Sequence, residues 1–239
     1  MSHIPILMYH SIKSEPKGSI LRGLCVPPWL FKLQLFTLKT LGYQGMSISE
    51  LMPYLNGQKK GKVFGITFDD GYVNNFENAL PILKKFNFTA TCYIVSGLIG
   101  KNNVWDIAKG VNEKRLMDRK MIGLWIDSGF EIGCHSHNHK RLSHCSSKEL
   151  ETEIRDSKKM LENIFKVPIQ HFCYPYGDFS DEVIEHVSKS GFKSAVTTSR
   201  GKVNLSTNFL KLPRVLINHR TYPISLLVKI LTSYESKKT

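Results

Sequence analysis

Eight short apolar runs, alternating with segments of helical periodicity, constrain this chain more than any other feature. The runs cover residues 4–9, 43–47, 63–68, 89–95, 130–134, 169–174, 193–198 and 212–217, and most are β-branched and aromatic, as buried strands are. Between them, residues 28–41, 49–55, 76–86, 146–165, 181–190 and 225–234 read as helices. Their boundary signals have a mechanism. Pro27-Pro28 suits a first turn, Ser146 and Glu149 form a capping box, Ser180 is a cap, and Gly42 and Gly191 are stops. Strand–helix alternation without a linker, repeat or low-complexity stretch predicts a single α/β domain over residues 1–239 with a mostly parallel sheet. Seven or eight strands in such a series fit a barrel better than two domains. Residues 97–120 break the pattern and read as an insertion with a helix near Leu116, and residues 125–129 lead into the next strand.

Chemistry gathers at the ends of two of these runs. The third ends in Asp69-Asp70-Gly71, and the fifth ends in His135-Ser136-His137-Asn138-His139. In α/β proteins the C-terminal ends of parallel strands are where ligands and catalytic groups collect. Two adjacent carboxylates repel unless a cation separates their roles. Two imidazoles plus one carboxylate form a zinc-type set with an open position for water. Taken singly, Asp-Gly is a common solvated turn and a lone histidine is a surface or core residue. Taken together, Asp-Asp after one strand and His-x-x-x-His after another point to a metal site. His135 and His139 meet one ion if the segment turns helically, which leaves His137 pointing elsewhere.

Composition narrows the function classes. The chain has 41% hydrophobic and 22% charged residues, ordinary for a soluble globular protein. No apolar stretch approaches the roughly 20 residues that span a bilayer. The N-terminus has neither a basic n-region nor a small-residue cleavage site, so the expected location is the cytoplasm. Five scattered cysteines without a CxxC pair suggest no disulfide framework and no zinc knuckle. The formal charge of +13 favours anionic company, such as a phosphorylated precursor or peripheral contact with an anionic membrane face. The basic residues are dispersed and no nucleic-acid motif is present, so neither nucleic acid nor a protein partner is expected.

Thr67-Phe68-Asp69-Asp70-Gly71 together with His135-Ser136-His137-Asn138-His139 resembles the TFDDG and H-[ST]-x-x-H motifs of the NodB-homology polysaccharide deacetylases, carbohydrate esterase family 4. Tyr174-Pro175-Tyr176-Gly177 is similar to that family's third motif, and the resemblance runs from about Ile4 to Ile217. It implies a distorted (β/α) barrel of about seven strands and metal-dependent removal of N-acetyl groups from amino sugars. Carried over to this chain, it implies that Asp70, His135 and His139 hold one divalent ion, zinc first and cobalt or nickel otherwise. It further implies that Asp69 is the general base and that the backbone N–H of Tyr176, after Pro175, faces the oxyanion.

A histidine suits protonation of the leaving amine near neutral pH. The family's usual C-terminal motif has His219 as its nearest counterpart, in Leu216-Ile217-Asn218-His219. The opening Leu7-Met8-Tyr9-His10 resembles instead the rearranged subgroup of bacterial poly-N-acetylglucosamine deacetylases, and makes His10 the preferred acid. The third motif also departs from the common Arg-x-Pro-Tyr, whose arginine holds the base. Cys173 stands in the arginine's place, and Arg214 is the candidate substitute partner for Asp69. Cys134 and Cys173 read as small buried strand residues rather than soft ligands. Trp29, Trp105 and Trp125 are candidates to line a sugar-binding groove, but at least two of them are expected in the core.

The expected protein is a metal-dependent N-deacetylase acting on an amino sugar in a polysaccharide or glycolipid precursor. Two other readings share the sequence: a same-fold amidohydrolase for a small non-sugar amide, and a carbohydrate-binding protein with a dead site.

Overall fold

The structure, a computed structural model, describes residues 3–110 and 113–237. Its strands are β1 (Ile6–Tyr9), β2 (Gln44–Met46), β3 (Val63–Phe68), β4 (Thr91–Ile94), β5 (Glu131–Cys134), β6 (His171–Cys173), β7 (Ser194–Arg200) and β8 (Leu212–Leu216). Seven close a barrel in the order β1-β8-β7-β6-β5-β4-β3, with β1 returning to β3 through the register Ile6 to Gly65 and Tyr9 to Phe68. The short β2 adds to β3 only from Val63 to Gly65, and β4 takes over at Thr67. All these pairings are parallel.

Strands in such a barrel are covered on both faces, which is why they read as continuous apolar runs rather than alternating ones. Every residue of β3 is buried. Alternate residues divide between two clusters. Leu7, Phe64 and Phe172 pack outward under helical residues such as Leu30, Leu35 and Trp125. Ile6, Tyr93, Cys173 and Val196 pack with Ile48, Leu51 and Leu55. Gly133 has no room for a side chain, because a Cβ there would sit 2.4 Å from the Tyr93 ring.

The helices are α1 (Pro28–Thr40), α2 (Ile48–Leu55), α3 (Leu80–Phe86), α4 (Arg119–Asp127), α5 (Ser147–Leu150), α6 (Ser157–Phe165), α7 (Asp181–Lys189) and α8 (Pro223–Leu231). A π-helical turn, Glu151–Asp156, joins α5 to α6, and a second, Asn75–Ala79, precedes α3. Capping boxes at Ser47/Glu50 and Ser146/Glu149 start α2 and α5, and Ser180 caps α7. Two expectations fail. Leu116 lies in no helix but bridges Tyr72, and the helix starts at Arg119, where Asp118 accepts from the Met121 N–H, and takes in Trp125. That helix buries only Ile122 and Trp125, too few positions to show a period. Of the three tryptophans only Trp125 is in the core; Trp105 is half-buried and Trp29 is 57% exposed. Among the described residues, no helix is long and apolar enough to cross a membrane.

Candidate active site

Parallel strands deliver their C-terminal residues to one mouth. His10 follows β1, Asp69 and Asp70 follow β3, His135 follows β5, Tyr174 follows β6, and Arg214 points from β8. Two of these positions are locked by continuation of the sheet ladder: the Asp69 N–H donates to the Tyr9 carbonyl at 3.0 Å and the His135 N–H to the Ile94 carbonyl at 2.9 Å. Beyond the ladder the chain turns sharply. Asp70, Ser136, His139 and Tyr176 have φ of 73°, 61°, 59° and 60°. Left-handed backbone at non-glycine residues costs about 1–3 kcal/mol each, and such residues gather where side chains must be aimed.

The histidine segment therefore makes left-handed turns rather than a helical one. Ser136 Oγ accepts from the His139 N–H at 2.9 Å. The buried Glu153, on the π-helical turn, accepts from the N–H groups of His137 (3.0 Å) and Asn138 (2.8 Å) and from the Asn138 amide (2.9 Å). His137 does point elsewhere, sharing a hydrogen bond with Ser96 Oγ at 2.9 Å.

Asp70 Oδ1 lies 3.3 Å from His135 Nε2 and 3.2 Å from His139 Nε2. His135 Nδ1 is 2.8 Å from the Cys173 carbonyl, which takes the ring proton and leaves Nε2 facing Asp70. Burial pushes the Asp70 carboxyl up, but hydrogen bonds to the two imidazoles bring it well below the usual range. Burial depresses both imidazoles; the Cys173, Asp70 and Asp69 neighbours carry His135 well above its ordinary value, while His139 stays below. One carboxylate oxygen and two imidazole nitrogens within 4.8 Å of one another fit a divalent ion. A second group, Asp69 with His135 and Cys173, is equally compact but does not fit, because a guanidinium occupies both Asp69 oxygens.

That guanidinium is Arg214, fully buried, with Nη1 and Nη2 each 2.7 Å from an Asp69 oxygen. Its other N–H groups reach Thr67 Oγ1 at 3.0 Å, the Thr197 carbonyl at 2.9 Å and Cys173 Sγ at 3.4 Å, so all five donors are used. Burial raises the Asp69 pKa, yet Arg214, with His10 and His135, holds it below the ordinary value of 3.8. His10 Nε2 stands 3.7 Å from Asp69 Oδ2. Two asparagines fix the segment that carries it: Asn74 Oδ1 accepts from the Ile12 N–H and Asn78 donates to the Ile12 carbonyl, both at 2.8 Å. A cavity of about 110 Å³ covers these groups. Trp105 stacks on His139 with ring centres 4.1 Å apart, and Tyr176 meets the same imidazole edge-on at 4.6 Å.

The polysaccharide deacetylase family profile matches residues 56–195. The Bacillus subtilis (strain 168) protein YxkH is 31% identical over 217 residues, which are 90% of this chain and 71% of that one. The chain belongs to the polysaccharide deacetylase family. Poly-beta-1,6-N-acetyl-D-glucosamine N-deacetylase of Staphylococcus aureus (strain MSSA476) is 29% identical over 79% of this chain and 66% of its own length. Among solved structures, the Streptococcus pyogenes deacetylase PplD, in complex with acetate, superposes with a TM-score of 0.83 at 29% identity, covering 96% of this chain and 98% of that one. Members of this family hydrolyse N-acetyl amides, and the closed barrel seen here is the expected fold.

Within the deacetylase, His10, Asp69, Asp70, His135, His139, Tyr176 and Arg214 come together, with Pro175 buried beside Tyr176. His219 does not join them; it lines a separate cavity beside Arg22 and Arg220. The sequence reading missed Glu153, Asp106, Asn74 and Asn78. Glu153 carried a faint signal, since a carboxylate on the apolar face of a helix needs a reason to be buried. The others belong to segments whose contacts exist only after folding.

Proposed function

We propose that this chain is a divalent-metal-dependent N-deacetylase of N-acetylglucosamine units in a polysaccharide or glycolipid precursor. The observation that carries the reading is the division of labour between adjacent carboxylates: Asp69 is held by Arg214 with His10 beside it, and Asp70 by two imidazoles. In this reading Asp70, His135 and His139 hold zinc, whose chemistry when bound is to polarise the amide carbonyl and lower the pKa of water. Arg214 keeps Asp69 ionised and oriented, so its carboxylate takes the proton from the attacking water. His10, whose Nε2 stands 3.7 Å from Asp69 Oδ2, gives a proton to the departing amine. The backbone N–H of Tyr176, presented by its left-handed turn, faces the carbonyl oxygen as charge develops there. The pocket of about 110 Å³ suits an acetyl group and a water rather than a whole sugar. The acetate bound to PplD is the product such a reaction releases.

The test is acetate release from N-acetylglucosamine oligomers by zinc-, cobalt- and nickel-loaded protein, with chelated protein as control. Metal-dependent release supports the proposal. No release from these oligomers, with release from a small non-sugar amide, moves the reading to the amidohydrolase alternative.

A further inference from the structure

Beside the candidate active site lies a larger cavity, of about 460 Å³, that the proposed reaction does not use. Its volume falls inside the range of roughly 300–1,000 Å³ typical of small-ligand sites. The two spaces share a wall: Leu21 and Leu24 line the active-site pocket, while Arg22 and Cys25 of the same turn line the larger cavity. Around it stand Lys13, Arg22, Arg220 and His219. The one carboxylate on its wall, Glu15, is committed to Lys114 at 3.3 Å and Lys13 at 3.7 Å. Among the described residues, Arg22 and Arg220 have no ion-pair partner. Burial, together with these two guanidiniums, holds the His219 imidazole below its ordinary range, so the local field is positive before any ligand arrives. Trp29 and Tyr222, 57% and 52% exposed with ring centres 6.3 Å apart, add an aromatic platform at the same cavity.

Resting on the deacetylase reading above, we infer that this cavity is a subsite for an anionic sugar, a unit carrying a phosphate or carboxylate next to the N-acetylated unit in the glycan. Arg22 and Arg220 meet the charge, since guanidinium forks match planar and tetrahedral oxyanions. Trp29 and Tyr222 take the apolar face of the ring. A chain lying across the turn Arg22–Leu24 places an acetamido group in the small pocket and its charged neighbour in the large one.

The experiment is isothermal titration calorimetry on zinc-loaded full chain carrying Asp69→Asn, so that binding is read without turnover. The probes are N-acetylglucosamine 1-phosphate, glucuronic acid, neutral N-acetylglucosamine and inorganic phosphate. Expected is binding of at least one anionic sugar about tenfold tighter than the neutral one, an advantage that Arg220→Gln removes and the remote Lys60→Gln keeps. Trp29→Ala is expected to weaken the anionic sugar several-fold and leave inorganic phosphate unchanged. Whether the phosphate or the carboxylate sugar binds tighter identifies the charged group. Equal binding of anionic and neutral sugars, or indifference to Arg220→Gln, overturns the subsite. Arg220-dependent binding by a protein that releases no acetate from any oligomer keeps the subsite and removes the deacetylase reading; acetate release without anion preference does the opposite.

Discussion

Both ends of the barrel carry a histidine–carboxylate group, and the two are built differently. At the N-terminal end Glu131, the first residue of β5, lies 3.4 Å from His171, the first residue of β6. Glu131 accepts from the N–H groups of Ile48 (3.1 Å) and Ser49 (3.2 Å) and from the hydroxyls of Ser49 and Thr91. It thus closes the N-terminus of α2, where a negative charge is favoured. Both ring nitrogens of His171 have hydroxyl partners at 2.8 Å, Ser49 and Ser194. At the C-terminal end the backbone is strained at four residues, Asp70, Ser136, His139 and Tyr176, and a cavity lies over the group. A histidine beside a carboxylate is therefore not in itself a functional signature. Saturated hydrogen bonding marks the scaffold pair, and strained backbone under a cavity marks the group to which the proposed reaction is assigned.

Substitutions sharpen that contrast. The largest effect is expected of Asp70→Asn, which removes the only carboxylate from the proposed ligand set. Losing several kcal/mol of electrostatic stabilisation corresponds to about 10³-fold or more in acetate release, and metal content by elemental analysis should fall with it. Full activity with metal retained would break the contrast at once. Next, Asp69→Asn should lower kcat by roughly 10²–10⁴-fold, the usual contribution of a general base, with metal still bound. His10→Ala is expected at the lower end of that range, because the leaving amine can still find a proton from solvent.

Arg214→Met probes a group that belongs both to the buried core and to the proposed site. It leaves Asp69 buried without its cation, which costs about 3–5 kcal/mol, or roughly 6–20 °C in Tm for a chain of this size. The sign with pH follows from Asp69, whose native pKa lies below the ordinary 3.8. Its contribution to wild-type stability is complete above about pH 4 and fades as pH falls through the lower native value. In the variant burial acts without Arg214, the Asp69 pKa rises, and the stability deficit shrinks as the carboxyl takes up a proton. Thermal melts of both proteins from pH 3.5 to 7 should therefore converge at the acid end. A deficit that grows towards acid contradicts the pairing.

What could be read before folding was decided by reach along the chain. The seven barrel strands were legible because burial on both faces leaves unbroken apolar runs, and Asp69, Asp70, His135 and His139 because each closes such a run. Arg214 was legible through a gap: a Cys173 where an arginine is usual requires the cation to come from elsewhere in the barrel. Asn74 and Asn78, which clamp Ile12 from 62 and 66 residues away, left no trace in spacing or composition. Trp105 was one of three tryptophans for which the core was preferred over a groove, since an aromatic at a loop looks alike in both roles until the His139 ring is placed beneath it. The Glu131–His171 network was invisible for the opposite reason: its members open their strands, where polar residues are ordinary.

That invisibility sets up the smallest and most discriminating prediction. Glu131→Gln keeps the shape of the side chain but presents an amide N–H₂ where backbone and hydroxyl donors already converge, and removes the negative charge at the start of α2. The expected cost is about 1–2 kcal/mol, a fall of roughly 2–8 °C in Tm. The kcat for acetate release should stay within about twofold, because the altered end of the barrel contributes no group to the pocket over Asp69. A melt and a rate on the same preparation decide it. Stability lost with kcat intact assigns the N-terminal histidine–carboxylate pair to the scaffold. A fall in kcat comparable with that of His10→Ala means that the two ends are coupled through β5 and β6, the strands whose opening residues are Glu131 and His171 and whose closing ends carry His135 and Tyr174.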